Sequence, residues 1–116
     1  MAAMTGALTT HVLDVALGRP ARGIGIELWR GDVRIAAAVT NDDGRTDAPL
    51  VAPGSLEAAV YELRFAVGPY FARSDTDDDP PFLDVVPVRF GISDASADHH
   101  VPLLVTPWSY STYRGS

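Results

Sequence analysis

The sequence predicts an all-β sandwich of about eight short strands with at most one small helix. Three observations carry that expectation. Apolar side chains recur at every second position in several separate stretches, the period of a half-buried strand. Clusters of Gly, Pro, Asn and Asp divide these stretches at strand-length intervals. Finally, where many domains end in a frayed polar tail, this one ends in an aliphatic run (residues 101–105), a turn punctuated by Pro107 and a segment of aromatic and hydroxyl residues (110–116).

Taken in order, residues 8–15 alternate Thr9, His11 and Leu13 against Thr10, Val12 and Asp14, and are predicted to form the first strand. Residues 18–23, with Gly18, Pro20 and Gly23, read as a loop. Residues 24–30 place Ile24, Ile26 and Leu28 inward and Glu27 and Trp29 outward; Gly31-Asp32 turns the chain, and residues 33–40 return as a third strand. Asn41-Asp42-Asp43-Gly44 is a strong turn signal that leaves Arg45 just past the bend, on a short strand or extended segment. Pro49, Pro53 and Gly54 make 48–55 a loop.

The alternation of Tyr61, Leu63, Phe65 and Val67 argues for a strand from about Ala59. Residues 68–74 allow one short helix with Pro69 in its first turn. The run 75–81, with four aspartates and two prolines, reads as an exposed acidic loop. Residues 82–92 form a further strand with Val86, Val88 and Phe90 on one face, and 93–98 a turn. In the closing pair Val101, Leu103 and Val105 face the core. His100, Pro102, Leu104 and Thr106 look the other way, with His99 at the rim. Beyond the turn, Ser111, Tyr113 and Gly115 share one face, opposite Tyr110, Thr112 and Arg114.

Length and composition bound the function. A chain of 116 residues holds one domain and one core, with residues 1–7 expected to be a flexible N-terminus. No apolar run approaches the roughly 20 residues that span a bilayer, and the opening residues lack a basic segment followed by an apolar block, so neither a membrane span nor a secretory leader is expected. The absence of cysteine excludes disulfides and fits a reducing compartment; the cytoplasm is the expected location. A net charge of −6 opposes binding to phosphate backbones, and the nine basic residues, all arginine, are scattered. Neither nucleic acid nor a membrane surface is an expected partner. Asp98, His99 and His100 stand in a row, but consecutive strand residues diverge, so no metal site is expected. No Gly-x-Ser-x-Gly segment or glycine-rich phosphate loop is present.

Three stretches carry a resemblance. They are Leu8-Thr9-Thr10-His11-Val12-Leu13-Asp14 with Gly18-Arg19-Pro20-Ala21; Thr40-Asn41-Asp42-Asp43-Gly44-Arg45; and His100-Val101-Pro102-Leu103-Leu104 followed by Tyr110-Ser111-Thr112-Tyr113-Arg114-Gly115-Ser116. In this order, and over essentially the whole chain from about Leu8, they resemble the 5-hydroxyisourate hydrolases, transthyretin-related enzymes of urate breakdown. Alternation and turns alone allow an immunoglobulin-like or a transthyretin-like sandwich. The resemblance implies the second: two four-stranded sheets with one short helix, assembled as a homotetramer (a dimer of dimers) with active sites in a central channel. It implies hydrolysis of 5-hydroxyisourate to 2-oxo-4-hydroxy-4-carboxy-5-ureidoimidazoline, with no cofactor. It marks His11, Arg45 and His100 as catalytic, and Ser111, Tyr113, Arg114, Gly115 and Ser116 as lining the substrate site. Asp98-His99 stands where the family usually carries an aromatic, and Thr106 where it more often has serine.

The residue types suit the chemistry. Opening a ring amide needs water deprotonated, charge on the carbonyl oxygen stabilised and a proton delivered to the leaving nitrogen. Histidine, with an ordinary pKa of about 6.5, serves the first and last steps at neutral pH. Arginine remains charged and offers a planar fork to a small anionic heterocycle. The residues alone leave open which histidine is the base and which the acid; the expectation taken is His11 on the water and His100 on the ring nitrogen or carbonyl. The rival reading is a transthyretin-like carrier, which should line its channel with small aliphatic or neutral groups. A structural immunoglobulin-like adhesion module would account for the core but not for the terminal motif. Fold alone does not choose among them.

Overall fold

The computed structural model describes residues 6–72 and 78–115. Its elements are β1 (Leu8–Asp14), β2 (Arg19–Pro20), β3 (Gly25–Arg30), β4 (Val33–Val39), β5 (Ala59–Ala66), α1 (Val67–Phe71), β6 (Val85–Ile92), β7 (His99–Val105) and β8 (Tyr110–Thr112). They form two four-stranded sheets, one in the order β2-β1-β7-β8 and the other β4-β3-β5-β6. The second sheet is antiparallel throughout. In the first, β1 and β7 run parallel, and β2 and β8 add antiparallel edges. The fold class is the one expected: an all-β sandwich with one short helix.

Alternation decides what lies between the sheets. Val12 from β1 and Val101, Leu103 and Val105 from β7 meet Ile26 and Leu28 from β3, Leu63 and Phe65 from β5 and Val86 from β6, all buried. Fully burying side chains of this size stabilises by roughly 1.5–3 kcal/mol each, so the inward rows outweigh any local preference of single residues. On the far side of the second sheet the outward residues are charged and mutually engaged. The Arg64 guanidinium lies 4.4 Å from the Trp29 ring centre, and Glu62 receives both Arg64 at 2.7 Å and Arg89 at 3.3 Å. No helix among the described residues is long and apolar enough to cross a membrane.

The inward face of β1 also carries polar groups, and each is paired. The Thr10 hydroxyl donates to the Val101 carbonyl at 2.7 Å. Asp14, 1% exposed, accepts the Tyr70 hydroxyl at 2.6 Å and the Leu17 amide at 3.0 Å. Burial, reinforced by the Asp14 carboxylate, pushes the Tyr70 phenol up to about 12. This contact clips α1 to the end of β1. Tyr70→Phe leaves a buried carboxylate one donor short, so we expect a loss of about 1.5–3 kcal/mol, read as a lower urea midpoint at pH 7.

Four expectations need correction. Residues 18–23 are not loop throughout, because Arg19–Pro20 pairs with Leu13 and Asp14 as β2. A two-residue strand has no alternation to read, and Pro20 disguises it further. The strand expected over 82–92 begins only at Val85. Phe82 is 70% exposed, and the Asp84 carbonyl turns to accept the Gly68 amide at 2.9 Å, which ties this segment to α1 rather than to β5. The helix expected over 68–74 spans Val67–Phe71. Within the N-terminal segment expected to be flexible, Gly6 and Ala7 are buried and held: Gly6 donates to the Ala95 carbonyl at 3.2 Å and Ala7 to the Asp98 carboxylate at 2.9 Å. Residues 1–5, part of the expected acidic loop and Ser116 lie outside the described residues.

Candidate active site

The parallel pairing of β1 with β7 builds the site. Its register sets Thr9 beside His100 and His11 beside Pro102. Since Thr10, Val12, Val101 and Leu103 point into the core, Thr9, His11 and His100 emerge together on the outer face of the first sheet. Both histidines are half-buried. The Thr9 Oγ1 lies 2.9 Å from His100 Nδ1.

Arg45 reaches the same face from the other side of β1. The turn 41–44 closes when the Asn41 amide donates to the Arg45 carbonyl at 2.8 Å and the Gly44 amide to the Asn41 carbonyl at 2.9 Å. Gly44, at φ +73°, then presents its own carbonyl to the Val12 amide at 2.8 Å, which docks the turn on β1 and leaves Arg45 bridged to His11. The Asn-Asp-Asp-Gly signal is thus the device that sets a guanidinium beside an imidazole.

The C-terminal segment approaches from β8. Leu104 pairs with Ser111, and the Gly115 amide donates to the His100 carbonyl at 2.8 Å. A methyl group on Gly115 would stand 2.8 Å from His100 Cδ2 and 3.2 Å from its Cβ, so only glycine lets the chain lie against that ring. Ser111 is on the histidine face by register, and Tyr113, which falls between Ser111 and Gly115, is 59% exposed. Arg114 takes the alternate position. With His99, Val101, Thr112, Tyr113 and Val88 it lines a groove of about 210 Å³ between β6 and the β7–β8 pair, which neither His11 nor His100 lines. Of the residues expected in the site, His11, Arg45, His100, Ser111 and Gly115 come together, Tyr113 borders the groove that Arg114 lines, Arg114 does not join them, and Ser116 lies outside the described residues.

The neighbourhood has a consistent electrostatic effect. Burial first, then the Arg45 charge, lowers the His11 pKa below its ordinary value, partly offset by a hydrogen bond to the Asp43 backbone and by the Asp43 charge. Burial, Arg45 and then His11 lower that of His100. Both rings are therefore mostly neutral at pH 7, which leaves each able to take up a proton. Replacing Arg45 with Met removes one cause common to both shifts. We expect the two imidazole pKa values to rise towards 6.5, as followed by NMR titration of the ring protons. A depressed folded-state value means that the unfolded chain binds protons first as pH falls. Stability present above pH 6.5 is then lost as pH drops through the folded value, and Arg45→Met should shrink that loss.

Asp98 and His99, which stand in place of an aromatic, are engaged elsewhere. Asp98 holds the Ala7 amide, and His99 Nε2 lies 2.9 Å from the Asp94 carbonyl, so the pair fastens the N-terminal segment to the 93–98 turn. Thr9 is the site residue that sequence reasoning passed over. Its place on the His11 face was legible from alternation, but its proximity to His100 depends on a pairing between strands 91 positions apart.

A sandwich whose first sheet carries two neutral imidazoles and a guanidinium on its outer face is a scaffold for acid–base chemistry. The chain belongs to the HIUase/Transthyretin family, whose profile matches residues 8–115. A 5-hydroxyisourate hydrolase of Deinococcus radiodurans is 58% identical over 113 residues, covering 94% of this chain and 95% of that relative. Among solved structures, (S)-allantoin synthase superposes with a TM-score of 0.90 at 45% identity over 97% of this chain, which spans 44% of that protein. The 5-hydroxyisourate hydrolase of Klebsiella pneumoniae superposes with a TM-score of 0.81 at 35% identity, covering 96% of this chain and 94% of its own.

Proposed function

We propose that the protein hydrolyses 5-hydroxyisourate within urate degradation, and that His11, Arg45 and His100 carry the reaction. The observation that supports this reading above others is the adjacency of two imidazoles and a guanidinium on one outer sheet face, in a chain 58% identical to a hydrolase of that name. Water attacks a ring carbonyl, forming a C–O bond as one imidazole removes its proton. The Arg45 guanidinium faces the developing oxyanion, and the C–N bond breaks as the proton taken from water, passed between the two imidazoles, is delivered to the departing nitrogen. Ser111 and Tyr113 line the face at its β8 side, and the backbone of Gly115 leaves room beside His100.

In a single chain this face is open to solvent. Leu13 and Leu104 lie half-buried on it, and Val15, Leu17 and Trp108 expose apolar surface at its end, 51%, 61% and 60% respectively. Covering them by self-association would enclose the imidazoles and strengthen every electrostatic contact inside. A homotetramer is the assembly proposed, and light scattering at micromolar concentration tests it, a monomer counting against it. The cysteine-free composition suits a reducing compartment, and we place the protein in the cytoplasm.

The test of function is direct. 5-Hydroxyisourate generated in place by urate oxidase should lose its ultraviolet absorbance faster with the protein than without it; equal decay removes the proposal. The carrier reading is the weaker one, because a face bearing Arg45 and two titratable rings suits an anionic reactant better than an apolar ligand.

A further inference from the structure

Both backbone polar groups of Arg45 end on one residue. The Arg45 carbonyl accepts the Asn41 amide at 2.8 Å, and the Arg45 amide donates to Asn41 Oδ1 at 3.2 Å. The same oxygen accepts the Asp43 amide at 2.9 Å, and Asn41 Nδ2 donates to Asp47 Oδ1 at 3.0 Å. The partners fix the direction of every one of these bonds. A backbone amide only donates and an ionised carboxylate only accepts, so the carboxamide has one orientation that satisfies all three contacts.

We infer that Asn41, braced through its side chain by Asp47, is a positioning residue that sets the Arg45 guanidinium beside His11. The inference rests on the hydrolytic reading and deepens it by naming what aims the arginine. The Gly44 carbonyl and the Arg45 N–H belong to one planar peptide unit. Its oxygen accepts the Val12 amide at 2.8 Å, and its N–H donates to the Asn41 carboxamide. Held at both edges, between β1 and Asn41, that plane cannot swing, and the direction in which the Arg45 side chain leaves the backbone is fixed with it. The guanidinium lies at the end of a long flexible arm, so a small tilt at the backbone becomes a larger displacement at the charge. Asp47 holds the far end of the carboxamide and so keeps Oδ1 turned towards the two amides. Aspartate at position 41 would keep the acceptor but lose the donor, setting two carboxylates where a 3.0 Å hydrogen bond now stands.

Asn41→Ala removes the carboxamide and keeps the backbone bonds of the turn. The Arg45 charge helps to lower both imidazole pKa values, so NMR titration of His11 and His100 reads the position of the guanidinium without reference to activity. Both values should rise towards 6.5. The kcat/KM for 5-hydroxyisourate should fall about 10- to 100-fold, the scale of a displacement approaching about 1 Å. Unchanged titrations or an unchanged rate overturn the inference. Exchanging the partners separates positioning from general loosening of the turn. Asn41→Asp alone should lie between Asn41→Ala and the wild type. Adding Asp47→Asn puts a donor opposite an acceptor again, while the side chain at position 41 still receives both amides, so the double variant should recover most of the rate. A double variant no faster than Asn41→Asp overturns the inference, and that comparison decides even where Asn41→Ala does not fold. A wild-type protein that leaves decay unaccelerated, while Asn41→Ala still shifts both titrations, counts instead against the hydrolytic reading.

Discussion

His100→Ala should lower the rate of 5-hydroxyisourate decay by about 10²–10⁴-fold, to or near the rate without protein, and His11→Ala should do the same. Each removes a proton-transfer partner and leaves Arg45 and the sheet in place. Both side chains are half-buried on the outer face, so the fold should survive; an unchanged thermal transition would check this alongside single-turnover absorbance measurements. The double variant should lose little more than either single one, because groups that move one proton relay fail as a unit. The wild-type pH profile carries a matching signature. Both imidazole pKa values are depressed by burial and by Arg45, so the acid limb of the rate should fall below pH 6.5 rather than at it.

Gly44→Ala should be the most damaging substitution outside the reacting groups. The residue is buried at φ +73°, and a Cβ there would stand 2.4 Å from the Val12 carbonyl oxygen and 3.1 Å from Pro20 Cβ. The left-handed backbone costs an L-residue roughly 1–2 kcal/mol, and forcing atoms into a filled space costs roughly 1–3 kcal/mol more. We expect a total of about 2–5 kcal/mol in urea unfolding. The same shift undocks the turn from β1 and carries Arg45 away from His11. Misplacement by about 1 Å is enough for a loss of about 100-fold in rate. A variant with wild-type stability and activity would show that the turn does not control Arg45.

Much of this fold was legible beforehand because period-two alternation is a local property. Ile24, Ile26 and Leu28 in one stretch and Val101, Leu103 and Val105 in another announce their buried face without reference to anything distant, and all six are buried. The turn at 41–44 was equally plain, since Asn, Asp and Gly state their backbone preferences within four residues. β2 and the true start of β6 were not legible: each depends on a partner outside its own residues, Leu13 and Asp14 for one and Gly68 of α1 for the other.

The candidate site divides along the same line. His11, Arg45 and His100 were named from their motifs, but nothing local says that a strand near the N-terminus lies parallel to one near the C-terminus. That pairing brings His11 and His100 to one face and sets Thr9 against the His100 ring. The sequence alone determined which residues face inward and where the backbone must bend, since those follow from side-chain period and φ preference. Only the tertiary structure decided which outward residues are neighbours, because the β1–β7 register is selected by the fit of both buried faces against the second sheet.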